Sequence, residues 1–158
     1  MIEGPYTRVT WRGKKVNART RDALLWAEKK WRKKYPSKRI ELSQGSYSSS
    51  VPASGTSHNG GGVVDIRTRN LTSAQRVALV HALKDAGFAA WYRTEKQGFS
   101  PHIHACLIGD REMSASAKGQ CVAYDKGRDG LTGNRADNTY RAKPKVRFTY
   151  KRQKPVPR

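Results

Sequence analysis

A chain of 158 residues and 17.7 kDa is long enough to bury a core and short enough to favour one domain, and its formal net charge of +20 at pH 7 calls for an anionic partner. Nucleic acid, a membrane surface and an anionic cell wall all fit that charge, but no apolar run approaches the roughly 20 residues of a membrane span. Cys106 and Cys121 are too few for a disulfide framework, lack zinc-ribbon spacing, and read as free thiols in the core.

The charge is concentrated at the ends. Residues 1–40 carry 13 Lys and Arg against 3 acids, and residues 141–158 carry 8 against none. The opening "MIEGPYTRVTWRGKK" lacks the apolar core of a secretory signal, so synthesis in the cytoplasm is expected. From Thr20 to Tyr35, Leu24, Ala27, Trp31 and Tyr35 recur at helical spacing with Lys and Arg opposite, which predicts an amphipathic helix ended by Pro36. "RIELSQG" reads as a strand leading into a Ser/Gly-rich loop at 45–57 that delivers His58, turns at Gly60, Gly61 and Gly62, and enters a short buried strand holding Asp65. In "NLTSAQRVALVHALKDAGF", Thr72 and Gln75 make a capping-box spacing, Val77, Val80, Ala82 and Leu83 supply an apolar side, and Gly87 suits a helix C-terminus. "FAAWYR" and "HIHACLI" read as adjacent strands, and Ser114 to about Lys126 as a further helix. "KGRDGLTGNRADN" is loop, "KVRFTY" an edge strand, and the basic residues 151–158 a disordered tail to a single domain of residues 1–150.

Three of the four histidines, His58, His102 and His104, fall in glycine-rich or strand-edge contexts. Side chains alternate along a strand, so the imidazoles of "HIH" share one face while Ile103 takes the other. With His58 and Asp65 the chain offers two imidazoles and a carboxylate for a tetrahedral zinc whose fourth position is left open, the pattern of a catalytic site. A lone histidine is more often solvated or packed in a core, and His81, inside a helix, keeps that reading. Asp65 could serve as a helix cap or pair with Arg67, but a carboxylate among valines is costly unless paired or bound to metal.

"SGTSHNGGGVVDI" resembles the SxHxxGxxxD motif, and "PHIHACL" the HxH motif, of the zinc peptidases that group D-alanyl-D-alanine carboxypeptidases, Hedgehog domains and phage L-alanyl-D-glutamate endolysins. The likeness covers residues 38–110 and is strongest toward actinobacterial and actinophage members, which implies a Gram-positive actinobacterial host. It implies an α+β fold with a small central antiparallel sheet under the ligands and helices packed on it. His58, Asp65 and His104 are then the Zn²⁺ ligands, with His102 beside the metal. Two departures stand out. Many relatives place a glutamate three residues before the last ligand as general base, whereas this chain has Pro101, which leaves His102 as the candidate and Glu95 as the carboxylate alternative. Where relatives carry an arginine in an "SGYR"-like segment this chain has "SQGSY", so Gln44, Ser46 or Tyr47 is expected to contact substrate.

The resemblance implies hydrolysis of peptidoglycan stem peptides, with the basic ends holding the enzyme on anionic cell-wall polymers. An endolysin made in the host cytoplasm and released to the wall through holin lesions fits best. The alternatives are a D-alanyl-D-alanine carboxypeptidase, a non-catalytic Hedgehog-like zinc module, and a basic nucleic-acid-binding protein that uses Trp11, Trp26 and Trp31 among Lys and Arg, although no recognised nucleic-acid motif accompanies them.

Overall fold

The computed structural model describes residues 2–49, 56–142 and 145–158. An antiparallel hairpin comes first, β1 (Arg8–Trp11) and β2 (Lys14–Asn17), closed by Arg12 and Gly13, both at positive φ, as a two-residue hairpin turn requires. Helix α1 (Ala18–Arg32) follows directly, because the Asn17 side chain accepts from the Thr20 N–H and caps it. The helix thus starts two residues before the expected Thr20. After β3 (Leu42–Gln44), shorter than "RIELSQG", and a 3₁₀ turn at Ser57–Asn59 come β4 (Val63–Arg67), α2 (Ser73–Ala86), β5 (Phe88–Arg93), β6 (His102–Leu107) and α3 (Ala115–Asp125). Residues 50–55 of the expected Ser/Gly-rich loop lie outside the described residues. The capping box of α2 forms as its spacing predicts, with Thr72 and Gln75 bonded reciprocally at 2.9 and 3.1 Å and Gly87 left-handed at the C-terminus.

Strands β3, β4, β6 and β5 form, in that order, one antiparallel sheet. Alternation splits its faces. Val64, Ile66, Phe88, Ala90, Ile103, Ala105 and Leu107 face the main core, where Leu24, Ala27 and Trp31 of α1 and Leu79, Val80 and Leu83 of α2 cover them. Val63, Ala89, Trp91 and Cys106 point to the other face and pack with Ala117 under α3. The fold is therefore α+β, with three helices and small antiparallel sheets among the described residues. One expectation needs correcting. Residues 151–158 are not a disordered tail: β8 (Lys154–Pro157) pairs antiparallel with β7 (Val146–Thr149), Phe148 of β7 is buried, and Arg158 forms a two-pronged ion pair with Asp125 at 2.8 and 3.0 Å. Prolines 155 and 157 are tolerated because β8 is an edge strand. Among the described residues no helix is long and apolar enough to cross a membrane.

Candidate metal centre

The ladder between β4 and β6 sets Asp65 opposite His104, and the ladder between β5 and β6 sets Trp91 opposite His104 on its other side. Trp91 stacks on that imidazole, with ring centroids 6.0 Å apart and planes inclined by 22°. His58 reaches the same point from the loop. Its 3₁₀ turn is held by backbone bonds from Ser48 N–H to the His58 carbonyl and from Tyr47 N–H to the Gly60 carbonyl, 2.8 and 2.9 Å. The glycines that follow serve close approach. A Cβ on Gly60 would stand 2.1 Å from the Glu112 carbonyl oxygen, and Gly62 adopts φ +82° against Asp110. Asp110, itself buried, accepts from Asn17 at 2.7 Å and so ties this turn to the start of α1.

Nε2 of His58, Oδ1 of Asp65 and Nδ1 of His104 converge: this buried group offers three ligand atoms within 4.8 Å of one another and can hold a metal ion. The hydrogen bonds behind the rings make the case stronger than proximity does. A carbonyl oxygen can only accept, so Nδ1 of His58 carries a proton and donates to the Gly45 carbonyl at 2.9 Å. Its Nε2 then presents a lone pair 3.2 Å from Asp65 Oδ1, and that buried nitrogen has no hydrogen-bond partner among the described residues. His104 has an acceptor on each side, Gln120 Oε1 at 2.9 Å from Nε2 and Asp65 Oδ1 at 2.9 Å from Nδ1. The Gln120 oxygen also accepts from the Cys106 thiol at 3.4 Å. A neutral imidazole has a single N–H, so the second nitrogen of His104 needs a proton or a cation. Two imidazoles oriented from behind and aimed at one carboxylate oxygen form the donor set of a divalent-cation site, in which outer hydrogen bonds fix ring orientation and tautomer.

Electrostatics agree with an ionised aspartate at the centre of the group. Burial alone would raise the Asp65 carboxyl, but the hydrogen bond with His104 and the proximity of His58 outweigh it and hold the group well below the usual carboxylate range. Burial pushes the His104 pKa down, against the opposing pull of Asp65.

His102 lies on the same face, at the edge of the cluster. Its Nδ1–H donates to the Ser100 carbonyl at 2.7 Å, which leaves Nε2 as a lone pair 3.6 Å from Asp65 Oδ1. All four residues line a cleft of about 940 Å³. Gln44, opposite Asp65 in the β3 ladder, lines it too. Ser46 and Tyr47 do not. The Ser46 hydroxyl donates to the Val63 carbonyl at 2.9 Å and the Tyr47 hydroxyl donates to Glu112, so both brace the His58 loop rather than face the cavity. Glu95 is exposed on a 3₁₀ turn and is not among the residues that line the cleft. Gln120, Trp91 and three cleft arginines, Arg69, Arg76 and Arg93, were missed from sequence, and Arg67 was weighed only as a partner for Asp65. Only the period-2 spacing of Trp91 and Arg93 in "FAAWYR" hinted that those two share a face.

No protein-family model matches the chain, and neither a curated protein nor a solved structure does. Geometry and chemistry at the site therefore carry the functional argument.

Proposed function

We propose that this chain is a zinc-dependent peptidase of peptidoglycan stem peptides, similar to the D-alanyl-D-alanine carboxypeptidase, Hedgehog and endolysin group in fold and ligand set. The observation that carries the reading is the convergence of His58, Asp65 and His104 in an open cleft, with a fourth polar group, His102, beside them. Two imidazoles and one carboxylate suit zinc with a position left for chemistry. A cation held there supplies Lewis acidity, which polarises an amide carbonyl and makes water a competent nucleophile near neutral pH.

The chain's own residues do the rest. With its proton committed to Ser100, His102 offers Nε2 to take a proton from the attacking water and return it to the leaving amine. Gln120 and the Gly45 carbonyl hold His104 and His58 in the tautomers that ligation requires. Gln44 contributes an amide to the cleft wall. Within the family the endopeptidase reading, cleavage of an L-alanyl-D-glutamate type bond by a phage endolysin that reaches the wall through holin lesions, is preferred to a carboxypeptidase because "SQGSY" departs from the "SGYR"-like segment. The basic ends would retain the enzyme on anionic wall polymers. Nucleic-acid binding draws less support. Trp31 is buried with its N–H on the Gln75 carbonyl, and Trp11 and Trp26 pack against the core, which leaves them poorly placed for base stacking.

The test is digestion of isolated actinobacterial peptidoglycan with and without chelator and Zn²⁺ add-back, with products read by mass spectrometry. Zinc-dependent N-terminal D-glutamyl ends are expected. Release of D-alanine alone assigns a carboxypeptidase, and no zinc-dependent product from several walls rejects the peptidase.

A further inference from the structure

Arg93 is 2% exposed and lines the metal cleft. Its Nη1 donates to the Asp129 carbonyl and its guanidinium lies 4.8 Å from the centre of the Trp91 ring. Its Nη2 is buried and has no hydrogen-bond partner among the described residues. Among the described residues no ion pair within 4 Å neutralises the side chain either: the Asp129 carboxylate is turned to the Leu131 N–H at 2.9 Å. A buried guanidinium N–H without a partner costs free energy, and anchoring Asp129 uses only Nη1.

We infer that Arg93 is an anion-recognition residue of the cleft, whose free Nη2 edge binds a carboxylate carried by the substrate residue that supplies the leaving amine. Register sets the face: Arg93 pairs with His102 as Trp91 pairs with His104, so Arg93 stands two residues further along β5 on the face that carries the histidine cluster. An α-carboxylate on the residue after the cleaved bond lies about 4 Å from the scissile carbonyl carbon, so a group beside the cluster meets it. A D-glutamate linked onward through its γ-carboxyl keeps such an α-carboxylate free. The choice of substrate rests on the peptidase reading; the carboxylate preference of Arg93 does not.

Two synthetic peptides separate the possibilities, N-acetyl-L-alanyl-γ-D-glutamyl-L-lysine with its α-carboxylate free or converted to the carboxamide. The zinc-loaded full chain should favour the free acid by tenfold to a hundredfold in kcat/KM, on the order of one charged hydrogen bond. In Arg93→Met that preference should fall to near parity, mainly through KM, and Arg93→Lys should keep part of it because it retains the charge without the planar fork. An unchanged preference in Arg93→Met, or an equal loss of kcat on both peptides, overturns the assignment, the latter by making Arg93 a stabiliser of the reacting carbonyl. Zinc stoichiometry and circular dichroism on each variant exclude misfolding as the cause, and Arg93→Lys serves where Arg93→Met does not fold. If wild type cleaves neither peptide the endopeptidase reading fails, and calorimetry of both peptides decides Arg93 separately. Tighter binding of the acid that disappears in Arg93→Met sustains the site, and equal binding removes it.

Discussion

Addition of zinc to the metal-free protein should raise its unfolding temperature by an amount that depends on His58 and His104. The metal-free fold holds a buried His58 Nε2 without a hydrogen-bond partner among the described residues, a penalty of about 1–3 kcal/mol that ligation removes. The three ligand atoms already lie within 4.8 Å of one another, so binding needs little rearrangement. At free zinc 100-fold above Kd, linkage adds about 2.7 kcal/mol to stability. For a 158-residue chain, at roughly 2–4 °C per kcal/mol, that is a rise of roughly 5–11 °C. Scanning calorimetry at buffered free zinc reads the shift directly, and a chelator should reverse it. His58→Ala and His104→Ala should abolish the shift, whereas His102→Ala should retain it. A chain that shows no saturable shift, or one undiminished in both ligand variants, would refute the metal assignment.

Three further outcomes are expected. His102→Ala should bind zinc as wild type does yet lose about 10²–10⁴-fold in peptide hydrolysis, while Glu95→Gln stays near wild type; full activity in His102→Ala removes its proton-transfer role. Deletion of residues 151–158 should lower the urea midpoint by the equivalent of roughly 1–3 kcal/mol, since β8 and the Arg158–Asp125 pair go with them, and an unchanged midpoint would mean that the tail contributes nothing. Burial raises the Asp85 carboxyl, but Lys30 and Arg141 outweigh it and depress its pKa, so the unfolded chain binds a proton there before the folded one does. Its stabilisation is complete above the unfolded value, near 4, and is lost as pH falls through the folded one; Asp85→Asn should flatten the acid limb of a stability–pH curve, and a superimposable limb would count against the pairing.

What sequence reading found was local. The capping box at Thr72 and Gln75, the left-handed Gly87 and the apolar side of α2 are near-neighbour patterns, and the chain forms them as the spacing requires. "HIH" on one strand and a carboxylate among valines on another were likewise legible, because period-2 alternation decides which side chains share a face before any partner strand is known. The short hairpin of β1 and β2 was missed: its four-residue strands carry little apolar alternation, and its Arg12–Gly13 turn is a weak signal. Residues 151–158 read as disordered from charge and proline content, but β7 supplies a ladder that composition does not encode.

By itself, then, the sequence determined the helices and the strand pair, through spacings that act within about a turn or a strand, and it marked His58, Asp65 and His104 as a candidate metal-binding group. Tertiary structure alone decided that Asp65 and Trp91 flank His104, that Gln120 holds its far nitrogen, that Ser46 and Tyr47 brace a loop, and that the buried Arg93 lines the cleft with its Nη2 unpartnered among the described residues. The physical reason is register: each of those relations depends on which residues of distant strands and helices face one another, and a shift of one residue along β4 or β5 would turn Asp65, or Trp91 and Arg93, to the opposite face of the sheet.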